Sequence, residues 1–332
     1  MSKTKIEWTE STWNPVSGCD KISDGCKNCY AEKMAKRLQV IGTRGYENGF
    51  KVALHEDRLS EPLERKKPTM YFVCSMGDLF HEDVPFEFID KVFAVVALTP
   101  HHTYQILTKR PERMKEYFLS FEKINNSEII SHFFGRDIKI SCRGEYIAEY
   151  AIQLGGKHSS TTQISWTSPE EPAMLNLPLE NVWLGVTAEN QEQADKRIAF
   201  LLDTPAAKRF VSVEPMLGAI DLTFLHHDNI STHYLDALAG KVKNGWFFNC
   251  NKLDWVICGG ETGTNARPMH PGWVRSLRDQ CHEVKVPFFF KQWGEYDCNG
   301  NKVGKKQAGH LLDGEEYRDM PLASSFNAID NN

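Results

Sequence analysis

Short runs that are apolar throughout recur along this chain, and most of them are followed by a stretch with helical periodicity. The runs are "MYFVCS" (70–75), "TYQILT" (103–108), "NVWLGVT" (181–187), "RFVSV" (209–213), "DWVICGG" (254–260) and "PFFFK" (287–291). They lack the strict alternation of a strand with one wet face, so both faces of each are expected to be buried. Helical "FEFIDKVFAVVAL" (86–98), "PERMKEYFL" (111–119), "QEQADKRIAFLL" (191–202) and "GWVRSLRDQCHEV" (272–284) lie between them. Fully buried strands separated by helices mean an α/β fold with a parallel sheet. With a further strand around 12–16, the series predicts a complete or partial (β/α) barrel of TIM-like form. A doubly wound open sheet is the competing layout, because the succession of elements does not reveal strand order.

The barrel is expected to occupy 1–294 as a single domain. Two stretches interrupt its rhythm. Residues 120–180 contain the polar, turn-rich "IQLGGKHSSTTQISWTSPEEPAML", too long for a plain connection and read as an insertion or lid. Residues 224–252 form a second insertion. The segment 295–332 is expected to hold a hairpin at "DCNGNKVG" and then to fray through "SSFNAIDNN". The net charge of −5, from 39 Lys and Arg against 44 Asp and Glu, excludes a wholly basic nucleic-acid coat but leaves room for a local basic groove. No run approaches the roughly 20 apolar residues of a membrane helix. The opening "MSKTKIEWTE" lacks the apolar core of a signal peptide, so a cytoplasmic protein with reduced thiols and no membrane partner is expected.

Each apolar strand ends in a compact polar or glycine-containing signature. These bring Ser75 and Asp78, Lys109 and Arg110, Glu189, Glu214, Gly259 with Gly260 and Glu261, and Lys291 to the strand C-termini. In a β/α barrel those ends converge on one mouth, where ligands bind. Turns after strands are often polar, but charges beside buried strands need partners or a ligand. Asp78, Lys109, Arg110, Glu214, Glu261 and Lys291 are therefore the candidate catalytic residues.

Of the nine cysteines, three fall within eleven residues: Cys19, Cys26 and Cys29 in "WNPVSGCDKISDGCKNCYAEKMAKR" (13–37). Tyr30, Met34 and Leu38 then recur at helical spacing, so an amphipathic helix is expected to start at or just after Cys29. Three thiols suit an iron–sulfur cluster with one iron left open. Zinc requires a fourth ligand, such as Cys74 or His81, and a C-x-x-C redox pair leaves Cys19 without a role. Cys74, Cys258 and Cys281 sit in apolar segments and are expected in the core.

Seven segments together resemble a family of phage- and bacteria-borne three-Cys-motif proteins, a phage-protein family of unknown function distantly similar to radical S-adenosylmethionine (SAM) enzymes. They are the cysteine segment above, "SMGDLFHEDVP", "LTKRPERM", "NVWLGVTAENQ", "RFVSVEPMLGAIDL", "DWVICGGETGTNARPMHPGWVRSLRDQC" and "VPFFFKQWGE". The resemblance implies a radical-SAM-like barrel and a [4Fe–4S] cluster on Cys19, Cys26 and Cys29. It also implies SAM chelated by the open iron and an electron donor to drive its cleavage. Here the first gap is six residues where the common motif has three, and Asn28 precedes Cys29 where an aromatic is usual.

On that reading Ser75 and Asp78 face the amino group of SAM and Glu189 or Glu214 its ribose, while Gly259 and Gly260 let backbone approach it. Lys109, Arg110, Arg267 and Lys291 with Trp13 and Trp293 would suit a phosphate backbone and a stacked base. "NCYAE" is similar to a segment of spore-photoproduct-lyase-like repair enzymes. The expected function is thus an iron–sulfur enzyme modifying or repairing nucleic acid or a nucleotide. The alternatives are a non-enzymatic cluster or zinc module of a phage or defence system, and a Mg²⁺- or Mn²⁺-dependent nuclease using Asp78, Glu189, Glu214 and Glu261.

Overall fold

The computed structural model describes residues 4–120, 129–133, 136–140, 142–155, 163–165, 173–226, 234–243 and 247–322. Seven strands form one sheet: β1 (Ser11–Trp13), β2 (Met70–Val73), β3 (Thr103–Thr108), β4 (Val182–Thr187), β5 (Lys208–Val213), β6 (Trp255–Gly259) and β7 (Phe288–Gln292). Every neighbouring pair is parallel. Their order across the sheet follows the chain from β1 to β7 without reversal, and β1 does not pair with β7. A doubly wound sheet reverses at a switch point. This one curls in a single sense into a partial barrel.

The helices are α1 (Tyr30–Val40), α2 (Phe86–Leu98), α3 (Pro111–Leu119), α4 (Arg143–Gly155), α5 (Gln191–Asp203) and α6 (Pro271–Glu283). The strands are buried on both faces because each face has its own core. Tyr71, Ile106, Leu184, Val211, Val256 and Phe288 belong to the large core that also takes in residues of α2, α3, α5 and α6. Trp183, Phe210, Trp255, Ile257 and Phe289 alternate with them and fill the barrel interior, joined by Trp8. Gly185 is required there: a Cβ would fall 2.4 Å from the Phe210 ring. Gln105 donates to the Trp8 carbonyl at 3.2 Å, which helps hold this aromatic plug across the interior.

The described part of 120–180 places α4 against α2, with Arg143 bonded to the buried Asp90 and Ala173 N donating to Glu149 at 2.7 Å. The second insertion is a small antiparallel sheet running from Leu225–His226 to Phe247–Asn249. None of their described residues lines the cavity at the mouth. The expected hairpin at 297–304 is present, with a Tyr296–Lys302 bridge. The chain then returns to β7, where Phe290 N donates to Tyr317 O at 2.9 Å and Phe289 bridges Arg318. The stretch 324–332, expected to fray, lies outside the described residues.

Among the described residues no helix is long and apolar enough to cross a membrane. Helix α1 departs from the expected amphipathic packing. Tyr30 is 65% exposed, Met34 and Leu38 are half-buried, and Ala35 is its one buried residue. The physical reason is location, since α1 rises from the rim of the mouth instead of lying within the outer layer.

Candidate functional site

The cysteine loop leaves the sheet through Gly18, whose φ of +87° and crowding against the Lys51 carbonyl admit only glycine without strain. Gly18 N donates to Met76 O at 2.9 Å and Cys19 N to Phe50 O at 3.1 Å, which fixes the first thiol over the end of β2. A single 3₁₀ turn, Asp24–Cys26, presents the second. Cys29 N donates to Cys26 O, and Cys29 O accepts from Lys33 N as α1 begins. The three thiols line one cavity of about 300 Å³ at the C-terminal ends of the strands.

Two cations reach those sulfurs. Lys109 Nζ lies 3.5 Å from Cys26 Sγ, and Arg110 Nη1 lies 3.4 Å from Cys19 Sγ. For Cys26, burial raises the pKa, but the Lys109 charge and the bonds from Ile22 and Ser23 outweigh it and leave the thiol below its ordinary value. For Cys19, burial and the Asp78 carboxylate prevail over Arg110 and push the thiol up to about 11.

Behind the thiols stands a set of buried carboxylates. Glu189 is 0% exposed; its Oε1 accepts from Lys109 and Ser23, and its Oε2 accepts from Arg197 at 2.9 Å. Burial works against its ionised form, yet Lys109 and Arg197 hold the carboxyl below the usual range. Gly25 passes so close that a Cβ there would lie 2.3 Å from Glu189 Oε1. Asp78 Oδ1 accepts from Thr108 Oγ1 (2.7 Å) and Phe80 N (3.0 Å), and Oδ2 from Lys109 N (3.1 Å) and Arg110 Nη1 (3.2 Å). On the far side Glu261 grips Arg267 through both oxygens, at 2.6 and 2.8 Å, and Arg267 reaches on to Asp24 O at 3.0 Å.

Of the residues singled out in the sequence, Cys19, Cys26, Cys29, Cys74, Ser75, Asp78, Lys109, Arg110, Glu214, Gly260 and Glu261 line the cavity. Glu189, Gly259 and Lys291 stand one step behind. Lys291 Nζ pairs with Glu214 Oε1 at 2.6 Å, and a Cβ on Gly259 would touch the Glu214 carboxyl. Ser75 Oγ donates to Asn14 Oδ1 at 3.1 Å. Gly260 lacks a side chain for an internal reason: a Cβ would collide with the Trp293 carbonyl at 1.9 Å.

The structure corrects one expected contact, the stacking of a base on the two tryptophans. Trp13 and Trp293 are buried, and their indole N–H groups donate to Arg58 O and Leu311 O, so neither can stack on a ligand. Lys109, Arg110, Arg267 and Lys291 are each paired with a carboxylate. Tyr30, 65% exposed, lines the cavity, as do the half-buried Phe50 and Phe72. Ser23, Asn14 and Glu82 escaped the sequence reading because each acts through a partner distant along the chain, and Arg197 because its target Glu189 lies across the turn from β4 into α5. Ser23 alone carried a local sign, three residues before Cys26.

Chemically, the donor set is three thiols with cations on two of them. Among the described residues no three His, Cys, Asp or Glu side chains converge tightly enough to grip one metal ion. His81 turns to Asp20, 3.3 Å away, while Cys74, largely buried, lines the same cavity as the three thiols. Three thiols lining one cavity are the kind of donor set that a cluster with one open iron would need.

A family model described as "Protein of unknown function (DUF5131)" matches residues 3–321. A search of the curated proteins finds no match. Among solved structures, a cysteine-to-serine mutant of spore photoproduct lyase matches 89% of this chain and 78% of its own, at 11% identity and a TM-score of 0.32. That likeness is too low to carry an argument.

Proposed function

We propose, for a chain that belongs to the family described as "Protein of unknown function (DUF5131)", that it is an iron–sulfur enzyme of radical-SAM-like type. The observation that carries this reading is the gathering of Cys19, Cys26 and Cys29 around one cavity at the mouth of a partial parallel barrel. These three thiolates would hold a [4Fe–4S] cluster. When bound and reduced by an electron donor, such a cluster supplies the electron that cleaves SAM and yields a carbon-centred radical able to abstract hydrogen.

The chain's own residues have separable tasks. Asp78 and Glu82 fix Arg110, and Glu189 fixes Lys109, so both cations are held against the thiols. Glu214 gives one oxygen to Lys291, and among the described residues its other oxygen has no hydrogen-bond partner. Glu214 is therefore the acid suited to an ammonium or a ribose hydroxyl in the cavity. Asp78, with both oxygens fully engaged, is not.

The substrate is a nucleic acid or nucleotide whose base stacks on Tyr30. Lys27, Lys33 and Lys51 are exposed and have no ion-pair partner among the described residues. Each sits beside the cavity rim: Lys27 lies between two of the cysteines, Lys33 Nζ approaches Gly263 next to Thr262, and Lys51 follows Phe50. Between residues 21 and 51 there are seven Lys and Arg against three Asp and Glu, on a chain whose net charge is −5. Phosphates suit that local excess.

Anaerobic reconstitution tests the reading. Wild-type protein is expected to be brown and to bind about four irons per chain, the content of a cubane. Cys26→Ala should abolish this, whereas Cys281→Ala, in the core of α6, should retain it. SAM should change the paramagnetic spectrum of the reduced protein and 5′-deoxyadenosine should be released. Colourless protein holding one zinc per chain would overturn the proposal.

A further inference from the structure

Lys109 and Arg110 are adjacent in sequence, yet they leave β3 in different directions and end on different sulfurs. Lys109 Nζ is 3.5 Å from Cys26 Sγ, and Arg110 Nη1 is 3.4 Å from Cys19 Sγ. Both side chains are largely buried, at 18% and 5% exposure. Neither is free to serve a substrate phosphate. Lys109 is tied to Glu189, which Arg197 holds in turn at 2.9 Å. Arg110 is tied to Asp78 at 3.2 Å and to Glu82 at 2.7 Å. Leaving the sulfurs would pull each cation from a buried carboxylate, Glu189 for Lys109 and Asp78 for Arg110, which is unfavourable. No comparable side-chain donor contacts Cys29 Sγ among the described residues.

We propose that Lys109 and Arg110 are potential-setting residues, positively charged donors to the Cys26 and Cys19 thiolates that make the cluster easier to reduce. The inference rests on the cluster reading above and assigns these two residues a role directed at sulfur instead of substrate. Its physical basis is charge. A reduced cluster carries one more negative charge than an oxidised one, so a fixed cation nearby stabilises the reduced form more. Hydrogen bonds to the sulfurs act in the same direction, and both effects are larger where solvent is excluded. The anchoring acids keep the ammonium and guanidinium in place in both oxidation states, so the benefit requires no rearrangement.

The test is an anaerobic redox titration of the reconstituted full-length protein, followed by paramagnetic resonance, with iron measured on the same samples. Lys109→Met removes the charge. Lys109→Gln also removes it but can still bond to Glu189 and Ser23, which guards against simple loss of the loop. The expected result is wild-type iron content in Lys109→Gln and a midpoint more negative by at least a tenfold change in the reduction equilibrium, about 59 mV for one electron. Lys109→Arg should restore most of the difference. Two results would overturn the inference: an unmoved midpoint in an iron-replete Lys109→Gln protein, or loss of iron from both neutral variants, which would make Lys109 a clamp for the loop. Wild-type protein that takes up no iron would instead remove the cluster reading itself.

Discussion

Asp78 lines the cavity, yet its carboxylate is already engaged by the protein's own donors. Its two oxygens accept four hydrogen bonds, from Thr108, Phe80, Lys109 and Arg110, so it joins the end of β2 to the end of β3. Asp78→Asn is expected to destabilise the protein by on the order of 2–4 kcal/mol, because it leaves the buried Arg110 with only the exposed Glu82 as its acid. Thermal unfolding and iron retention on dilution check this, and both should fall together. A variant that kept its iron and lost only affinity for SAM would return Asp78 to the ligand. The type of residue at each strand end was readable from the sequence, since a run of apolar residues must stop where the chain meets water. Which of those residues would be free was not. Glu189 and Glu214 look alike as letters, and only the partners that the fold brings to them, such as Arg197 and Lys291, decide that one is sealed and the other half-open.

At the level of elements, the strands and their helices were legible because burial on both faces leaves a continuous apolar run, a signal carried by a few adjacent residues. The attachment of α4 was not legible, since it depends on Asp90, the one charged residue among the buried positions of α2. Arg143 and the Tyr117 hydroxyl both bond to it, the latter at 3.0 Å. Burial nevertheless dominates and pushes the Asp90 carboxyl up to about 6. An unfolded aspartate titrates at about 3.9, so the folded state holds the proton more tightly. Stability contributed at this site is therefore greatest near pH 4 and declines as pH rises towards about 6, by at most about 3 kcal/mol. Urea unfolding across that range should show the decline in the wild type and a flatter profile in Asp90→Asn. An identical slope in both would mean that Arg143 neutralises the site completely.

Across the whole molecule, a partial barrel leaves two sheet edges, and an uncovered edge invites pairing with another chain. The β7 edge is covered by the returning tail through Phe290 to Tyr317, Phe289 to Arg318 and Trp255 Nε1 to Asp319 O at 2.8 Å. Ending the chain after Gly304 should therefore produce self-association at micromolar concentration, visible by size-exclusion chromatography. A truncated protein that stays monomeric would show that the tail does not guard the edge. The contacts that hold the cysteine loop have a further consequence, one of timing. Lys109 meets Cys26 across 83 residues, Ser23 meets Glu189 across 166 and Arg267 meets Asp24 across 243. Contacts so distant along the chain can close only after the intervening sheet has assembled, because each must overcome the entropy of a long loop. The thiol loop is thus synthesised before the partners that hold it, and is locked late. During that interval it is the exposed segment that oxidants and proteases meet first.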